Sequence, residues 1–217
     1  GLVIIDEQHR FGVFQRMAFT YKGIKPSILV MSATPIPRTM NFVFSGLKDF
    51  SFLNSPPVNR LSIKSFLKIS DNTILKESIS REIQRGGQCF ILQNNISKMQ
   101  GLKNTLQTLI PGIKIGIAHG QLNKKDIASV MDGFSSGEVD ILICTTIVEM
   151  GLDIPNANTM IIEDSHKLGL AQLHQLRGRI GRSNKQGYCY FLIPDVVIPK
   201  LASERLESIV RLSKLGS

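Results

Sequence analysis

Short apolar runs alternate with longer amphipathic stretches along most of the chain. The runs 2-LVII-5, 28-ILVM-31, 62-SIKSFLKI-69, 89-CFILQ-93, 115-IGIAH-119, 141-ILICT-145, 160-MIIED-164 and 188-YCYFLI-193 have strand length and strand composition. Between them, 71-DNTILKESISREIQR-85 carries Ile74, Leu75, Ile79 and Ile83 on one helical stripe. Asp71 is placed to cap this helix and Gly86-Gly87 to stop it. Two further helices are predicted at 97-SKMQGLKNTLQTLI-110, ended by Pro111-Gly112, and at 123-NKKDIASVMDGFSSG-137. In 198-IPKLASERLESIVRLSKLGS-217, Leu201, Leu206, Ile209, Val210 and Leu215 recur at helical spacing. Strand–helix–strand alternation with short connections implies βαβ units, hence an α/β protein with a parallel sheet flanked by helices.

The best internal boundary is 54-NSPPVNRL-61, where two consecutive prolines force extended chain. After it come enough βα units for a complete lobe at 61–197. Before it, 1–55 hold too few strands for one and read as the second half of another. The expected organisation is therefore 1–55, a linker at 56–60, a lobe at 61–197 and a helical tail at 198–217. With 42% hydrophobic and 20% charged residues among 217, the composition is that of a globular chain. No apolar run approaches the ~18 residues of a membrane span. The start, GLVIIDEQHR, has no basic region of a signal peptide, and the missing initiator Met suggests a piece of a longer protein.

Cys89, Cys144 and Cys189 lie in apolar strand-like runs, odd in number and without a CxxC pair, so buried free thiols in a reducing, cytoplasmic compartment are expected. The formal net charge of +9 is compatible with a polyanionic partner. In 3-VIIDEQHR-10 a predicted strand runs into two carboxylates, and open α/β sheets bind ligands beyond the carboxyl ends of their strands. Asp6 there suits a magnesium ion, and Glu7 suits a water poised to attack phosphate. In 172-QLHQLRGRIGR-182, Arg177, Arg179 and Arg182 are interleaved with Gly178 and Gly181. Guanidinium forks suit the charge on a transferring phosphoryl group, and Arg179 and Arg182 would share a face if this turn were helical.

The runs IIDEQH, SATPIPRT at 32–39, TTIVEMGLDIP at 145–155 and QLHQLRGRIGR resemble, in order, motifs II, III, V and VI of superfamily 2 helicases. HRFGV at 9–13, ATPIPRT and GLAQLHQLRGR narrow the resemblance to the branch of double-stranded DNA translocases that holds RecG and the transcription-repair coupling factors. Within it, residues 45–66 and the short path from Cys89 to His119 are more similar to the coupling factors. DEQHRFGV followed by Gln15-Arg16 is more similar to RecG.

The resemblance implies RecA-like lobes of the P-loop NTPase fold, ATP and Mg2+ as cofactors, and double-stranded DNA as the track. It assigns Asp6 to the magnesium ion, Glu7 to the hydrolytic water, and Gln175, Arg179 and Arg182 to the phosphates. Gly151 and Asp153 would meet the nucleotide's sugar side. Ser32, Ala33 and Thr34 would link nucleotide state to DNA grip, while Thr145, Thr146, His119 and Gly120 would lie at the DNA. In the coupling factors RNA polymerase and the excision-repair damage-recognition protein are bound by modules outside these residues. The tail at 201–217 resembles the first helix of a hairpin that couples hydrolysis to movement.

None of the 18 glycines is followed by lysine, so the chain has no P-loop. The resemblance places that loop upstream, and the expectation is that this chain alone hydrolyses ATP negligibly. A non-enzymatic DNA-binding module is the alternative in that case; adding the upstream half would separate the two by restoring ATPase activity. RGRIGR is a poor dinucleotide fingerprint, since it places arginines where pyrophosphate approach needs small residues. A parallel sheet interrupted at 1–55 is expected to be rearranged, disordered or covered by another copy, which would make the chain self-associate.

Overall fold

A computed structural model describes residues 1–6, 27–31, 49, 51, 61–146 and 154–214. The chain divides into two compact units, Gly1–Ser55 and Pro56–Ser217. In the first, β1 (Leu2–Asp6) pairs in parallel with β2 (Ser27–Met31), from Leu2 opposite Ser27 to Asp6 opposite Met31. Ile5 is buried there, whereas Leu2, Ile4, Ile28, Leu29 and Met31 are exposed.

The second unit is built on a six-stranded sheet. Its elements are β3 (Lys64–Ile69), α1 (Asn72–Gln84), β4 (Gln88–Leu92), α2 (Ile96–Leu109), β5 (Ile115–Ala118), α3 (Lys124–Ser135), β6 (Ile141–Cys144), β7 (Ala157–Ile162), α4 (Leu170–Arg177), β8 (Tyr188–Ile193) and α5 (Lys200–Lys214). The strands run in the order β3-β8-β7-β4-β6-β5, with every pairing parallel. Local chemistry starts the helices: Asp71 accepts from Thr73 N at 3.1 Å, Asn95 from Ser97 N at 3.1 Å and Asn123 from Asp126 N at 2.8 Å. Gly86, at φ +70, ends α1 in the left-handed region that favours glycine.

Side chains alternate across the sheet and fill two cores. On one face Leu75 and Ile79 of α1 and Met99 and Leu106 of α2 pack on Cys89, Ile91, Ile141, Ile143 and Ile161. On the other, Phe134 of α3, Leu173 and Leu176 of α4, and Leu206 and Ile209 of α5 pack on Phe90, Leu142, Met160 and Phe191. Leu206 is fully buried, whereas Leu201 is 78% exposed, so only part of the tail's predicted stripe is a packing stripe. Leu215 lies outside the described residues.

Most boundaries shift by a residue or two from expectation, and three of the differences bear on the site. β7 begins at Ala157 and stops at Ile162 instead of spanning 160–164. Its polar residues Asn158 and Thr159, which follow Ala157, are fully buried, and Asp164 at φ 49 leaves the extended region. β3 starts at Lys64, two residues later than the apolar run. Finally, α4 ends at Arg177, and Gly181 at φ +67 turns the chain, so Arg179 and Arg182 sit in a loop and share no helical face.

All three cysteines are free and buried, and burial pushes the thiols of Cys144 and Cys189 up to about 12. Alkylation of the native protein at pH 8 is expected to leave them unmodified and to label them on unfolding; rapid native labelling would contradict this packing. Leu206→Ala is expected to destabilise the second unit by about 2–5 kcal/mol in a denaturant titration. Leu201→Ala is expected to stay within about 0.5 kcal/mol, and equal effects would mean that α5 packs differently.

Candidate functional site

All strands of a parallel sheet end on one edge, and the residues just past those ends converge there. In the second unit these are Gln93 after β4, His119 after β5, Thr145 after β6 and Glu163 after β7. Thr145 N donates to Ala118 O at 3.3 Å, which sets Thr145 beside the end of β5 and next to His119. Thr145 Oγ1 and His119 Nδ1 are buried and have no hydrogen-bond partner among the described residues. A buried polar atom left unpaired costs about 1–3 kcal/mol, and a hydroxyl and an imidazole held this way suit an oxygen-rich ligand. Leu122 N donates to His119 O at 3.0 Å, closing the turn that contains the exposed Gly120. Thr146, one residue on, is half-buried.

Along the same edge lies an open cleft of about 440 Å³ lined by Gln93, Asn94, Asn95, Ser97, Asp164 and Lys167. Gln93 Oε1 accepts from Asn95 N at 2.9 Å, and Asn95 Oδ1 accepts from Ser97 Oγ at 2.7 Å, so the start of α2 is held in place. Glu163, beside it, accepts from Ser70 Oγ at 3.1 Å. Burial pushes its carboxyl above the usual range, and Asp164 adds to this while Ser70 and Lys98 oppose it. For Asp164 burial acts upward, but the hydrogen bond from Lys167 at 2.8 Å and the charges of Lys167, Lys98 and His166 hold it below its ordinary value. The cleft therefore offers amides, hydroxyls and an exposed ammonium group. Gln93 and Ser97 entered the sequence reading only as the end of a strand run and the start of a helix, and Asn94 and Asn95 not at all.

The arginines lie at the other edge. A Cβ on Gly181 would stand 3.0 Å from Ile63 Cγ1, and Gly187 packs against the same glycine. Ile63 and Gly187 immediately precede β3 and β8, so the Arg179–Arg182 loop borders the amino ends of the strands. Arg182 is exposed, and Gln175 and Arg179 are half-buried. Arg177 points elsewhere: its Nη1 donates to Ile209 O at 3.4 Å and Nη2 meets His174 Nδ1 at 3.2 Å, tying α4 to α5. Burial lowers the Arg177 and His174 pKa values, and the charge of Arg177 lowers His174 further.

The predicted residues thus fall into separate groups. His119, Gly120, Thr145 and Thr146 share the carboxyl edge of the large sheet, while Gln175, Arg179 and Arg182 lie toward its amino edge. Asp6 is the last residue of β1 in the first unit and is exposed. Glu7, Ser32, Ala33, Thr34, Gly151 and Asp153 lie outside the described residues. Among the described residues no group of three or more His, Cys, Asp or Glu could hold a metal ion. One exposed carboxylate at a strand end nevertheless fits magnesium, which keeps several waters and takes one or two carboxylates beside substrate phosphates. No helix among the described residues is long and apolar enough to cross a membrane.

Residues 70–184 match the helicase conserved C-terminal domain. The chain is 43% identical over 218 residues to the transcription-repair-coupling factor of Buchnera aphidicola, covering 100% of this chain and 31% of that protein. It is 44% identical over 221 residues to the Escherichia coli protein of the same name, covering 100% of this chain and 19% of that one. The chain thus spans a third or less of these relatives' length. A structure of RecG bound to a three-way DNA junction superposes with a TM-score of 0.75 at 37% identity, covering 99% of this chain and 29% of that one. The matched segment contains the sheet from β4 to β7, helices α1 to α4 and the arginine loop, more than half of the chain; the chain belongs to the helicase conserved C-terminal domain family, and its second unit is the RecA-like lobe of that family.

Proposed function

We propose that the whole protein is an ATP-driven translocase on double-stranded DNA of the transcription-repair coupling factor type, a cytoplasmic motor that displaces stalled RNA polymerase at lesions and promotes excision repair. One observation carries the DNA part of this reading: Thr145 Oγ1 and His119 Nδ1, both at the carboxyl edge of the sheet, have no hydrogen-bond partner among the described residues. Such groups, with Thr146, Gly120 and the Asn94–Ser97 turn, suit the phosphates and sugars of a nucleic-acid backbone. Backbone contacts of that kind hold the duplex without reading its sequence, as a motor that moves along DNA requires. The identity to coupling factors over the full chain supports the choice of branch.

In this reading 1–55 are the later part of a first RecA-like lobe, 61–197 a second lobe and 198–217 the start of the coupling hairpin. Asp6 would hold magnesium and Glu7 would orient the attacking water. Arg179 and Arg182 would stabilise charge on the transferring phosphoryl group, with Gln175 at the same phosphates and Gly151 and Asp153 toward the sugar. Bound ATP with its metal supplies the phosphoryl transfer itself. Ser32, Ala33 and Thr34 would pass the nucleotide state to the DNA grip. RNA polymerase and the damage-recognition protein are partners of the whole protein.

A RecG-type motor acting on branched DNA is the second reading, favoured by the likeness to RecG. Displacement of a stalled polymerase, without fork regression on a synthetic junction, separates the first from the second.

In the full-length protein Arg182→Ala is expected to lower DNA-stimulated ATP hydrolysis by about 1,000-fold or more, with the fold intact by circular dichroism. Near-normal turnover would remove Arg182 from the site. Thr145→Ala is expected to weaken duplex binding about tenfold, the effect of one hydrogen bond of about 1.4 kcal/mol. Unchanged affinity for duplex DNA across a salt series would move the DNA away from this edge.

A further inference from the structure

Asn158 has a polar side chain with no exposed surface, in the second position of β7. The ladder between β4 and β7 explains how it is aimed. Gln88 pairs with Ala157 and Cys89 with Thr159, so Asn158 is the extra residue of a bulge. A bulge re-aims the side chain it carries and is common beside active sites. Both ends of this amide are engaged. Nδ2 donates to Asn156 O at 3.0 Å, in the turn that follows Asp153, and Oδ1 accepts from Ser183 Oγ at 2.8 Å.

Ser183 directly follows Arg182. Its hydroxyl oxygen also accepts from Lys185 N at 3.2 Å, and Lys185 Nζ donates to Arg85 O at 3.1 Å. On the other flank Gly181 is pressed against Ile63 and Gly187, where a Cβ would stand 3.0 Å from the isoleucine. Arg182 therefore projects from a backbone held on both sides. Its backbone cannot shift without opening the glycine contact or breaking the Ser183–Asn158 hydrogen bond.

We propose that Asn158 and Ser183 are positioning residues for Arg182: their hydrogen bond fixes the loop from which the guanidinium acts and locks it to the turn that follows Asp153. The inference rests on the reading of Arg182 given above. A guanidinium that stabilises charge arising only in the transition state works at one place, and a misplacement of about 1 Å costs up to about 100-fold. That loss appears in kcat, not in the binding of ATP or DNA. Loss of a hydrogen bond that merely satisfied a buried amide would lower stability and leave the turnover of folded molecules unchanged.

The test measures duplex-stimulated ATP hydrolysis by the full-length protein. Ser183→Ala is expected to lower kcat about 10- to 100-fold, with KM for ATP and duplex affinity within about threefold and a modestly lowered melting temperature, because the buried Asn158 Oδ1 loses its partner. Ser183→Thr, which keeps the hydroxyl, is expected to recover kcat to within about threefold of the original. In an Arg182→Ala background, Ser183→Ala is expected to add no further loss, because the group it positions is gone. Asn158→Ala, scored per folded molecule, is expected to repeat the kcat defect. Full kcat in Ser183→Ala, a defect confined to KM or folded fraction, or an additive loss in the double variant would overturn the inference while leaving Arg182 in its role. Normal turnover of Arg182→Ala alone would overturn that role and the inference with it.

Discussion

All five residues of β4 and all six of β7 are buried, and these two strands lie side by side in the middle of the large sheet. Apolar side chains from helices cover both faces, so no group that must meet water or a ligand can stand along their length. Function is thereby displaced to the strand ends. At about 3.3 Å per residue the two edges are roughly 15–20 Å apart. Each carries its own set of polar residues: Thr145, His119 and the Asn94–Ser97 turn on the carboxyl edge, and the arginine loop on the amino edge. This separation suits the motor proposed above, which would hold a polymer with one surface and sense a nucleotide with another.

One helix runs from edge to edge. α4 begins after Gly169, close in sequence to Asp164 and Lys167 of the cleft, and ends at Arg177, two residues before Arg179. It is anchored by Leu173 and Leu176 in the core and by the Arg177 contact to the Ile209 carbonyl. Arg205 of α5 donates to His166 O at 2.8 Å near its start. A short rigid helix clamped at both ends cannot move at one edge alone, so a shift of the arginines in response to phosphate chemistry would be carried to the edge proposed to hold DNA.

The amino edge has a second polar construction. Glu82 of α1 is fully buried, paired with Arg85 and hydrogen-bonded by Thr159 Oγ1. A Cβ on Gly87 would stand 1.7 Å from Glu82 Oε1, so this glycine leaves room for the carboxylate. In the sequence Gly86-Gly87 reads as a helix stop, and Gly86 serves as one. The role of Gly87 depends on a side chain brought beside it by the packing of the helix on the sheet.

The α/β class, the strands of the large sheet, the cap at Asp71 and the chemical character of the arginine loop were determined by the sequence alone. Each depends on neighbours within a few residues or on a repeat period that local sterics impose. Tertiary structure decided what depends on distant partners. It buried Leu206 and left Leu201 in water, although both lie on a helical apolar pattern. It extended β7 through Asn158 and Thr159, polar residues that an apolar run cannot reveal, and set Asn158 against Ser183 across the bulge. It also parted Thr145 from the arginines. Hydrophobic periodicity tells which side chains tend to leave water; which strand pairs with which, and which loop a buried amide meets, is settled only when the sheet closes and its unpaired polar atoms must find partners.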